Sequence, residues 1–489
     1  MKKTEIPFYL VIIAFLLFSV SFSSCRKPDG EENAKLAFSS GVIHFDTVFS
    51  TIGSATQRFS VYNPHRYRVT TDIFLASGNT SYFSMNVDGQ PGIQFRDVVI
   101  EPQDSLLIFV KVNINPGNQN NPFLVTDSIL FRTGSVEQDV DLVAYGQDAH
   151  FIVGDHNIGG GIRYKIVAGP HETVQWTNEK PYVVYGWAAV DSLGTLLIEE
   201  GTQIYFHHNS RLWIYRYGNL QVNGTAQNPV VFQGDRRGSW FESDYAQWLG
   251  IMIYESNRDN HIDHAIIKNA QTGIFIDRVS ENLGNRNYIR NTVVKNTAGR
   301  GLEGWSANVE LTSCQFSNNG GGGVFLAIGN FDIRHVTIAD YYSGRTEPAL
   351  KISNQYQRLE GDGGGGYGWV NYVGNANITA VNSIITGNIE NEFVPDTNKQ
   401  AGSLQWRFEN SLLKTTVKAP SFFTECIFNT DPGFTDYTVQ NFTLKANSPV
   451  IDKGKPGIGV PTDILGNLRS GNPDMGAYEY VGDGSKFVR

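Results

Sequence analysis

The sequence predicts an all-β protein with an N-terminal β-sandwich, a β-solenoid and a C-terminal cap. Three observations predict this fold class. Hydrophobic residues make up 40% of the 489 residues and glycine occurs 51 times, so the chain is too apolar for a disordered protein and too glycine-rich for a helical bundle. Short alternating strands separated by turn signals occupy residues 36–150. From residue 181 onward, short strands with glycine or asparagine at their ends recur with a period of about 20 to 30 residues.

The first segment has the features of a targeting signal. Lys2 and Lys3 precede an apolar run, residues 6–20, which is too short to span a bilayer comfortably. Small and polar residues follow, and Cys25 comes directly after them. This arrangement resembles the lipobox of bacterial lipoproteins, in which the cysteine is acylated and becomes the new N-terminus. The alternative is an ordinary cleaved signal peptide followed by an incidental cysteine.

The lipoprotein resemblance implies a location for the protein. Residues 1–24 would be the signal peptide, and residues 25–35 would hold the lipidated cysteine and a tether. Two or three acyl chains, such as palmitate, on Cys25 would give stable anchoring to a membrane. The acidic residues within 29–32 resemble the surface-export signals of Bacteroidota lipoproteins. We therefore expect a protein that is lipid-anchored in the outer membrane and exposed at the cell surface.

Residues 36–150 have the alternation and turn residues of an antiparallel β-sandwich. The segment 59–64, which ends in Asn-Pro, and the segment 100–116, which begins with an Ile-x-Pro turn, resemble Ig-like modules of the abnormal-spindle and hydin type. The resemblance implies a spacer or a partner-holding module, and we assign no chemistry to it. Residues 151–180 are expected to be a linker and the N-terminal cap of the solenoid.

An eight-residue motif then recurs along the chain. Its copies are residues 262–269, 289–296, 311–318 and 333–340, which begin 27, 22 and 22 residues apart, with a looser fifth copy at 378–388. Short strands at this spacing predict a solenoid in which equivalent apolar side chains stack at about 4.8 Å from coil to coil. A β-propeller is the alternative, but it would need a longer and more regular repeat.

Three copies of the motif end in asparagine, at Asn269, Asn296 and Asn318. Asparagine tolerates the left-handed backbone conformation, and stacked amide side chains can hydrogen-bond to one another, so these residues are expected to form a structural ladder at a tight corner. The whole pattern resembles right-handed parallel β-helix proteins of the pectin-lyase-like type. That resemblance implies a right-handed parallel β-helix over residues 181–430.

The C-terminal region has a distinctive set of segments, residues 442–454, 462–469 and 473–480. They resemble the choice-of-anchor module that closes many bacterial surface β-helix proteins, which implies a cap over residues 431–489. A cap is also required physically, because the end of a solenoid exposes unpaired strands and core. Three aspartates of the region could ligate calcium, or they could cap turn backbone instead: Asp452, Asp463 and Asp474.

Enzymes of the pectin-lyase-like type work in a groove along one sheet, with charged residues from neighbouring coils. Asp263 and Arg290 occupy matched positions of consecutive copies, and Lys295 has a matched position before the asparagine corner. With Glu303, these residues are the candidate catalytic residues, while Arg278 and Arg300 could bind a uronate carboxylate. The alternative is that outward charges of a β-helix are solvated and paired across coils.

Aromatic residues are the stronger hint of a ligand. Trp213, Tyr215 and Tyr217 alternate, so we expect them on one face of a strand. Trp240 and Tyr245 cluster in an insertion, and a further tryptophan, Trp305, follows Arg300. Exposed aromatic rings beside charged groups suit stacking on sugars, whose ring faces are apolar and whose hydroxyls need polar partners. The alternative is that these rings pack over the side of the solenoid.

The net charge of −9 argues against a protein that tracks nucleic-acid phosphates, and three cysteines are too few for a disulfide framework. We expect no cofactor apart from the calcium considered above. The sequence therefore predicts an envelope-anchored, non-catalytic binding or scaffolding surface for a polysaccharide or for an envelope protein partner. The alternative function is a polysaccharide lyase or glycoside hydrolase that acts on uronate-containing glycans in a groove of the β-helix.

Overall fold

The computed structural model confirms an all-β fold with sandwich-like N-terminal sheets and a parallel β-helix. It divides into two compact units, Met1–Asp148 and Ala149–Arg489. The expected signal peptide and Cys25 lie outside the described residues, and no described helix is long and apolar enough to cross a membrane. The structure describes residues 33–49, 56–112, 123–236, 242–256, 258–278, 285–361, 367–400, 402–469 and 471–482.

The first unit contains two five-stranded sheets that enclose a common core. In spatial order, the first sheet comprises Ala37–Phe38, Gln57–Tyr62, Ser105–Val112, Phe83–Val87 and Gln90–Gly92. The second comprises Val42–Phe49, Val136–Gln147, Phe123–Thr133, Val69–Leu75 and Gln94–Ile100, and a 3-10 turn spans Gly78–Thr80. Alternate residues of each strand point inward, so Val61 and Ile108 of one sheet meet Ile129 of the other without solvent exposure.

The second unit is built from coils that each contribute one strand to three parallel ladders, which we name A, B and C in chain order. Ladder A comprises His150–Val153, Tyr182–Tyr185, Gln203–Phe206, Val230–Gly234, Ala265–Lys268, Val293–Lys295, Gln315–Ser317, Thr337–Asp340, Ile384–Gly387, Leu412–Leu413 and Ile427–Phe428. Ladder B comprises Arg163–Ala168, Trp187–Val190, Arg211–Ile214, Gly250–Tyr254, Ile274–Asp277, the first parts of Leu302–Thr312 and Val324–Arg334, Leu350–Ser353 and Phe393–Asp396.

Ladder C follows ladder B in each coil. It comprises Thr173–Trp176, Thr195–Glu199, Asn219–Asn223, Asn260–Asp263, Asn287–Arg290, the second parts of Leu302–Thr312 and Val324–Arg334, Ala376–Val381, Leu404–Glu409 and Phe423–Thr424. Three further elements lie outside the ladders: the edge strand His156–Asn157, the antiparallel hairpin Gln355–Gly361 with Tyr367–Val373, and a 3-10 turn at Pro420–Phe422.

The corners between ladders depend on left-handed backbone. Between ladder C and ladder A, each of four consecutive coils has one residue in the left-handed conformation, with φ between 46° and 53°. These residues are His264, Asn291, Ser313 and His335. The expected corner asparagines after ladder A, Asn269, Asn296 and Asn318, have φ of 65°, 55° and 56°. Asn318 donates a hydrogen bond to the side-chain oxygen of Asn296 at 2.7 Å, whereas Asn269 donates to the backbone of a neighbouring loop.

The interior is a stack of apolar side chains from equivalent positions of successive coils. One row on ladder A, which has no solvent exposure, consists of Ile204, Phe232, Ile267, Val294, Phe316 and Ile338. Burial of one such side chain stabilises the fold by about 1.5–3 kcal/mol. Because each row extends by one residue per coil, the repeated apolar positions of the sequence define the core.

A second asparagine ladder, which the sequence analysis did not identify, lies where ladder C begins. Asn260 donates to the side-chain oxygen of Asn287 at 3.0 Å, and Asn287 donates to the backbone oxygen of Asn308 at 3.2 Å. Asn330 and Asn377 continue it, with side-chain hydrogen bonds of 2.9 and 3.0 Å. Buried amides that hydrogen-bond to one another hold adjacent coils in register at this corner.

The C-terminal segment, residues 431–482, lies against the outer side of ladder A. Its antiparallel strands Phe434–Asp436 and Asn441–Leu444, joined by a 3-10 turn at Tyr437–Val439, share a core with outward residues of ladder A such as Val293 and Ile384. The sequence predicts a cap at the end of the solenoid. The described contacts place this segment against apolar side chains that ladder A presents outward.

The three C-terminal aspartates do not form a cation site in the described chain. The Asp463 carboxylate accepts hydrogen bonds from the backbone N–H groups of Leu465, Asn467 and Glu479. Asp474 accepts from the backbone of Asp452 and Tyr480. No group of three or more His, Cys, Asp or Glu residues within the described ranges could hold a metal ion. These contacts match the turn-capping alternative for Asp463 and Asp474.

The asparagine ladder at the start of ladder C yields a stability prediction. We expect Asn287→Leu to lower the free energy of unfolding by about 1–3 kcal/mol, because it removes the buried hydrogen bond from Asn260 to Asn287 and the one from Asn287 to the backbone of Asn308. Chemical denaturation followed by circular dichroism measures the change. Asn377→Leu, at the exposed end of the same ladder, is the control and should change it by less than about 0.5 kcal/mol. Equal effects of the two variants would contradict the prediction that the buried hydrogen bonds of this ladder stabilise the fold.

Candidate functional site

The outward side chains of ladder B are the part of the solenoid best suited to contact a ligand. Ladder A is covered by the C-terminal segment, whereas half-buried aromatic rings recur along ladder B. We name these rings the aromatic track: Tyr164, Trp187, Trp213, Tyr215, Tyr254, Phe275, Trp305 and Phe325. Alternation along each strand points them away from the core, so their exposure follows directly from strand geometry.

Strand register places the members of the track in adjacent coils. Trp213 is paired with Met252, which is paired with Phe275, and the next two coils contribute Glu303 and Phe325. Neighbouring rings touch edge to face, with ring centroids 5.4 Å apart for Trp187 and Trp213 and 4.8 Å apart for Phe275 and Trp305. The rings therefore form two groups along ladder B, one from Tyr164 to Tyr254 and one around Phe275 and Trp305.

The hairpin Gln355–Val373 forms a wall beside the track. It leaves the solenoid after the ladder B strand Leu350–Ser353. On its inner face, Tyr356 stacks on Trp305 with centroids 4.9 Å apart, and Arg358 Nη1 lies 2.7 Å from an oxygen of Asp277. These contacts hold the hairpin against ladder B.

The hairpin and ladder B together border a cleft of about 320 Å³. The hairpin contributes polar side chains, and ladder B contributes apolar and charged ones. The cleft is lined by Gln355, Tyr356, Gln357 and Asn371 together with Trp305, Phe325, Lys351 and Asp396. An apolar floor beside amide, ammonium and carboxylate groups is the usual composition of a small-molecule or sugar site.

Two carboxyl groups lie on ladder B in adjacent coils. Glu303 is paired with Phe275, two residues before Asp277 on the same face of the strand. Burial raises the pKa of Asp277 to about 6, although Arg358 and Arg278 act in the opposite direction. Burial also raises the pKa of Glu303, against the effect of Arg300. Carboxyl groups whose pKa lies nearer neutrality are the groups that can both donate and accept protons in catalysis.

The predicted arginines of this face are already paired. Arg278 lies 2.7 Å from Glu360 of the hairpin and 3.3 Å from Glu255. Arg300 lies over the ring of Phe325, 4.9 Å from its centroid, and donates a hydrogen bond to Glu347 at 2.7 Å. Both guanidinium groups therefore organise the borders of the track.

The four candidate catalytic residues lie on three different ladders. Asp263 and Arg290 are adjacent on ladder C, as the matched positions predict, but Arg290 donates to Glu310 at 2.7 Å and Asp263 accepts from Asn291 at 2.9 Å. Lys295 ends a strand of ladder A, and burial lowers its pKa to about 8. Of the four, Glu303 alone lies on ladder B. Each coil passes through ladders A, B and C in turn, so residues that are close in the sequence can lie on different ladders. The described structure does not bring them together.

The candidate ligand-binding residues are also distributed over different parts of the chain. Trp213, Tyr215 and Trp305 belong to the aromatic track. Tyr217 lies beyond the end of the strand Arg211–Ile214, in a left-handed turn with φ of 57°, so it does not share the face of Trp213. Tyr245 lies between ladders A and B, 5.6 Å from the ring of Tyr342. Trp240 lies outside the described residues.

Several residues of the site were not identified from the sequence. Alternation in the strand Ile274–Asp277 could have placed Phe275 and Asp277 on the outer face, since Ile274 and Ile276 belong to the apolar core. Arg358 had no such signal, because it reaches Asp277 only through the fold of the hairpin.

The chain matches no protein family profile and no curated protein. Among solved structures, 24% of this chain is similar to 30% of a family 123 glycoside hydrolase from Clostridium perfringens, with 8% identity and a TM-score of 0.17. A second similarity covers 22% of this chain and 54% of the E. coli chaperone DraB, with 10% identity and a TM-score of 0.17. In each case the likeness spans less than two thirds of the other chain, and it carries no argument about this protein.

The raised pKa of Asp277 predicts a pH dependence of stability. The folded protein binds this proton more tightly than the unfolded chain, whose ordinary pKa is 3.8. The contribution is therefore fully present below pH 3.8 and is lost as the pH rises through about 6. We expect Asp277→Asn to remove a decline of roughly 2–3 kcal/mol over this range.

Urea denaturation of the wild type and the variant from pH 4 to pH 8 measures this effect. Asp155→Asn is the control, because the Asp155 carboxyl is exposed and its hydrogen bond with Lys165 lowers its pKa. That variant should retain the decline between pH 4 and pH 6. An unchanged pH profile for Asp277→Asn would contradict the prediction.

Proposed function

We propose that ladder B binds an extended polysaccharide, and that the protein serves as a non-catalytic binding surface in the cell envelope. The observation that carries this proposal is the aromatic track, in which consecutive coils of ladder B contribute half-buried rings to its outer side. Sugar rings present apolar C–H faces that stack on such side chains. A line of rings parallel to the solenoid axis matches a chain-like ligand better than a single compact one.

The borders of the track supply what the sugar hydroxyls need. Lys351, Gln357 and Asn371 line the cleft beside Trp305 and can donate or accept hydrogen bonds. The rings themselves lie on a rigid support, because the strands of ladder B between its first and last members are hydrogen-bonded to the coils on either side. Preorganised contacts of this kind reduce the entropy lost on binding.

Substitution of the track tests the proposal. Trp213→Ala and Phe275→Ala should each weaken binding to a retained polysaccharide by about tenfold, since one aromatic contact contributes roughly 0.5–1.5 kcal/mol beyond its buried area. Affinity electrophoresis against a panel of neutral and acidic polysaccharides measures the retention. Tyr288→Ala removes an outward ring of ladder C and should leave retention unchanged. Equal losses for all three variants would contradict a site on ladder B, and no retention by the wild type would favour a protein partner.

A second candidate function is cleavage of a uronate-containing glycan by a lyase or hydrolase. The raised pKa values of Asp277 and Glu303 favour it, because both carboxyl groups lie beside the aromatic track. Formation of unsaturated uronates or new reducing ends by the wild type, abolished in Glu303→Gln, would establish an enzyme. Retention without either product would leave a binding protein. Inclusion of calcium in one arm and chelator in another shows whether a cation is needed.

We also propose that acyl chains on Cys25 hold the protein in the outer membrane, facing the outside of the cell. The basis is the lipobox-like segment, with small residues directly before this cysteine. Replacement of Cys25 by Ala should move the protein from the membrane to the soluble fraction and abolish labelling by a palmitate analogue. Proteolysis of intact cells tests the exposure. A protein that stays intact on the cells, but is degraded after lysis, would contradict surface exposure.

A further inference from the structure

The hairpin Gln355–Val373 exposes aromatic side chains on its outer face, which is opposite the face that contacts ladder B. Leu359 lies directly across from Trp369 in the strand register, and Tyr367 is two residues from Trp369, so the three side chains share this face. Tyr367 and Trp369 are 77% and 70% exposed, more than any other aromatic side chain among the described residues. An exposed apolar patch with polar neighbours is typical of an interaction site.

The outer face also carries two amide side chains beside the cleft. Gln357 is paired with Asn371, and each is two residues from a member of the Leu359–Trp369 pair, so the amides lie on the same face as the patch. Both residues line the cleft and are exposed. Neither side-chain amide has a hydrogen-bond partner among the described residues. A ligand in the cleft could therefore bind these amides and reach Trp369, which is about 7 Å further along the strand.

The cations around the cleft and the hairpin are all paired. In the described ranges, each of them has a carboxylate within 3.8 Å: Arg278, Arg300, Lys351 and Arg358. Their partners are six carboxyl groups: Glu255, Asp277, Glu303, Glu347, Glu360 and Asp396. Lys351 is the one cation that lines the cleft, and its partner Asp396 lines it as well. An anionic group of a ligand would lose hydration here without meeting a free cation, which is costly.

An uncharged sugar matches these groups better than an acidic one. A hydroxyl group both donates and accepts hydrogen bonds, and so does a side-chain amide, whereas a carboxylate can only accept. The rings of Trp305 and Phe325 in the cleft, and that of Trp369 beyond it, suit the apolar C–H faces of sugars. The cleft volume of about 320 Å³ is at the small end of the range for ligand sites, so the cleft holds a short part of a chain.

We propose that the cleft and the outer face of the hairpin form a subsite for uncharged sugar residues of the bound polysaccharide. Gln357 and Asn371 hydrogen-bond to the hydroxyl groups of the residue in the cleft, and Trp369 stacks on the residue that follows it. The inference rests on the proposed function of ladder B and adds the class of ligand to it. The polysaccharide is neutral where it meets the hairpin, because the protein offers hydroxyl-binding groups there and no free cation.

The experiment uses pairs of polymers that share one backbone. Soluble β-glucan, mannan and galactan are each compared with the same polymer after oxidation of its primary alcohols to carboxylates. Affinity electrophoresis of the full chain gives the affinity for every polymer. We expect the wild type to bind at least one neutral polymer about tenfold more tightly than its oxidised form, because a ligand carboxylate would be placed among carboxylates of the protein.

Substitutions on the outer face test the residues of the subsite. Trp369→Ala and Asn371→Ala should each weaken binding of the preferred neutral polymer by about three- to tenfold. Tyr82→Ala removes an exposed ring of the first unit and should leave binding unchanged. All three variants should unfold at the temperature of the wild type, since the replaced side chains are exposed. Loss of thermal stability together with binding would show that the side chain supports the hairpin, which would overturn its assignment to the ligand.

A charge variant tests why acidic polymers are disfavoured. Asp396→Asn leaves Lys351 of the cleft without its carboxylate, so it should bind the oxidised polymer about two- to fivefold more tightly than the wild type does. Asp332→Asn removes the partner of Arg334 on ladder C and should not change the affinity for either form. Equal affinities of the wild type and Asp396→Asn for the oxidised polymer would contradict the role of paired charges in the subsite.

The outcomes distinguish this inference from the proposed function. If the wild type binds an oxidised polymer as tightly as the neutral one, or more tightly, ladder B binds glycans but the neutral subsite is wrong. If Trp369→Ala and Asn371→Ala both bind like the wild type, the subsite is elsewhere. If Trp369→Ala instead converts a dimer into a monomer in sedimentation without a change in binding, the face is an interface between copies, and the inference is overturned. If the wild type binds no polymer of either kind, the inference fails together with the proposed glycan binding.

Discussion

The parallel pairing of each coil with the next is the constraint on which the solenoid depends. A single coil cannot bury its apolar residues or satisfy its backbone, so the stack supplies both through ladders A, B and C. The same pairing dictates that chemically equivalent positions lie about 4.8 Å apart in rows. A row directed inward becomes core, and a row directed outward becomes a continuous surface. The corners make this possible through left-handed residues such as Asn296 and Asn318.

The three ladders share this construction but differ in what covers their outer sides. Ladder A carries apolar residues outward and is covered by the C-terminal segment, with Tyr478 fully enclosed and hydrogen-bonded to Gln315. Outward charges of ladder C neutralise one another, as Arg290 and Glu310 do. Ladder B has aromatic rings outward and is partly bordered by the hairpin. The three ladders have similar backbones. Ladder B is the most exposed of them because less of the chain packs against its outer side.

Charge is distributed unevenly along ladder B. Near the hairpin, Asp277 is enclosed by Arg358 and Arg278, and burial still dominates its pKa. Toward the N-terminal coils, Arg211 stacks on Trp187, and no described carboxylate lies within ion-pair distance of it. The first arrangement joins the hairpin to the solenoid by an internal ion pair.

Sequence alone determined those features that repeat with a short period. The motif copies at 262–269 and 289–296 predicted parallel coils, the corner asparagines and the inward apolar rows, because each of these depends on neighbouring residues and on the next coil. The same reasoning placed Asp263 beside Arg290, which is correct. It could not assign Glu303 to a different ladder from Asp263, Arg290 and Lys295. Each coil has three strands that face different directions, and the sequence does not show which of the three ladders stays exposed.

Tertiary structure decided which surfaces are covered and which charges are compensated. The C-terminal segment returns to the side of ladder A, and the hairpin brings Arg358 to Asp277, although these segments are far apart in the chain. No local periodicity records such contacts. The raised pKa of Asp277 and the lowered pKa of Arg211 have the same origin, since desolvation depends on everything packed around a group and not on its position in a repeat. The solenoid follows from its sequence repeat, whereas the character of ladder B follows from long-range packing.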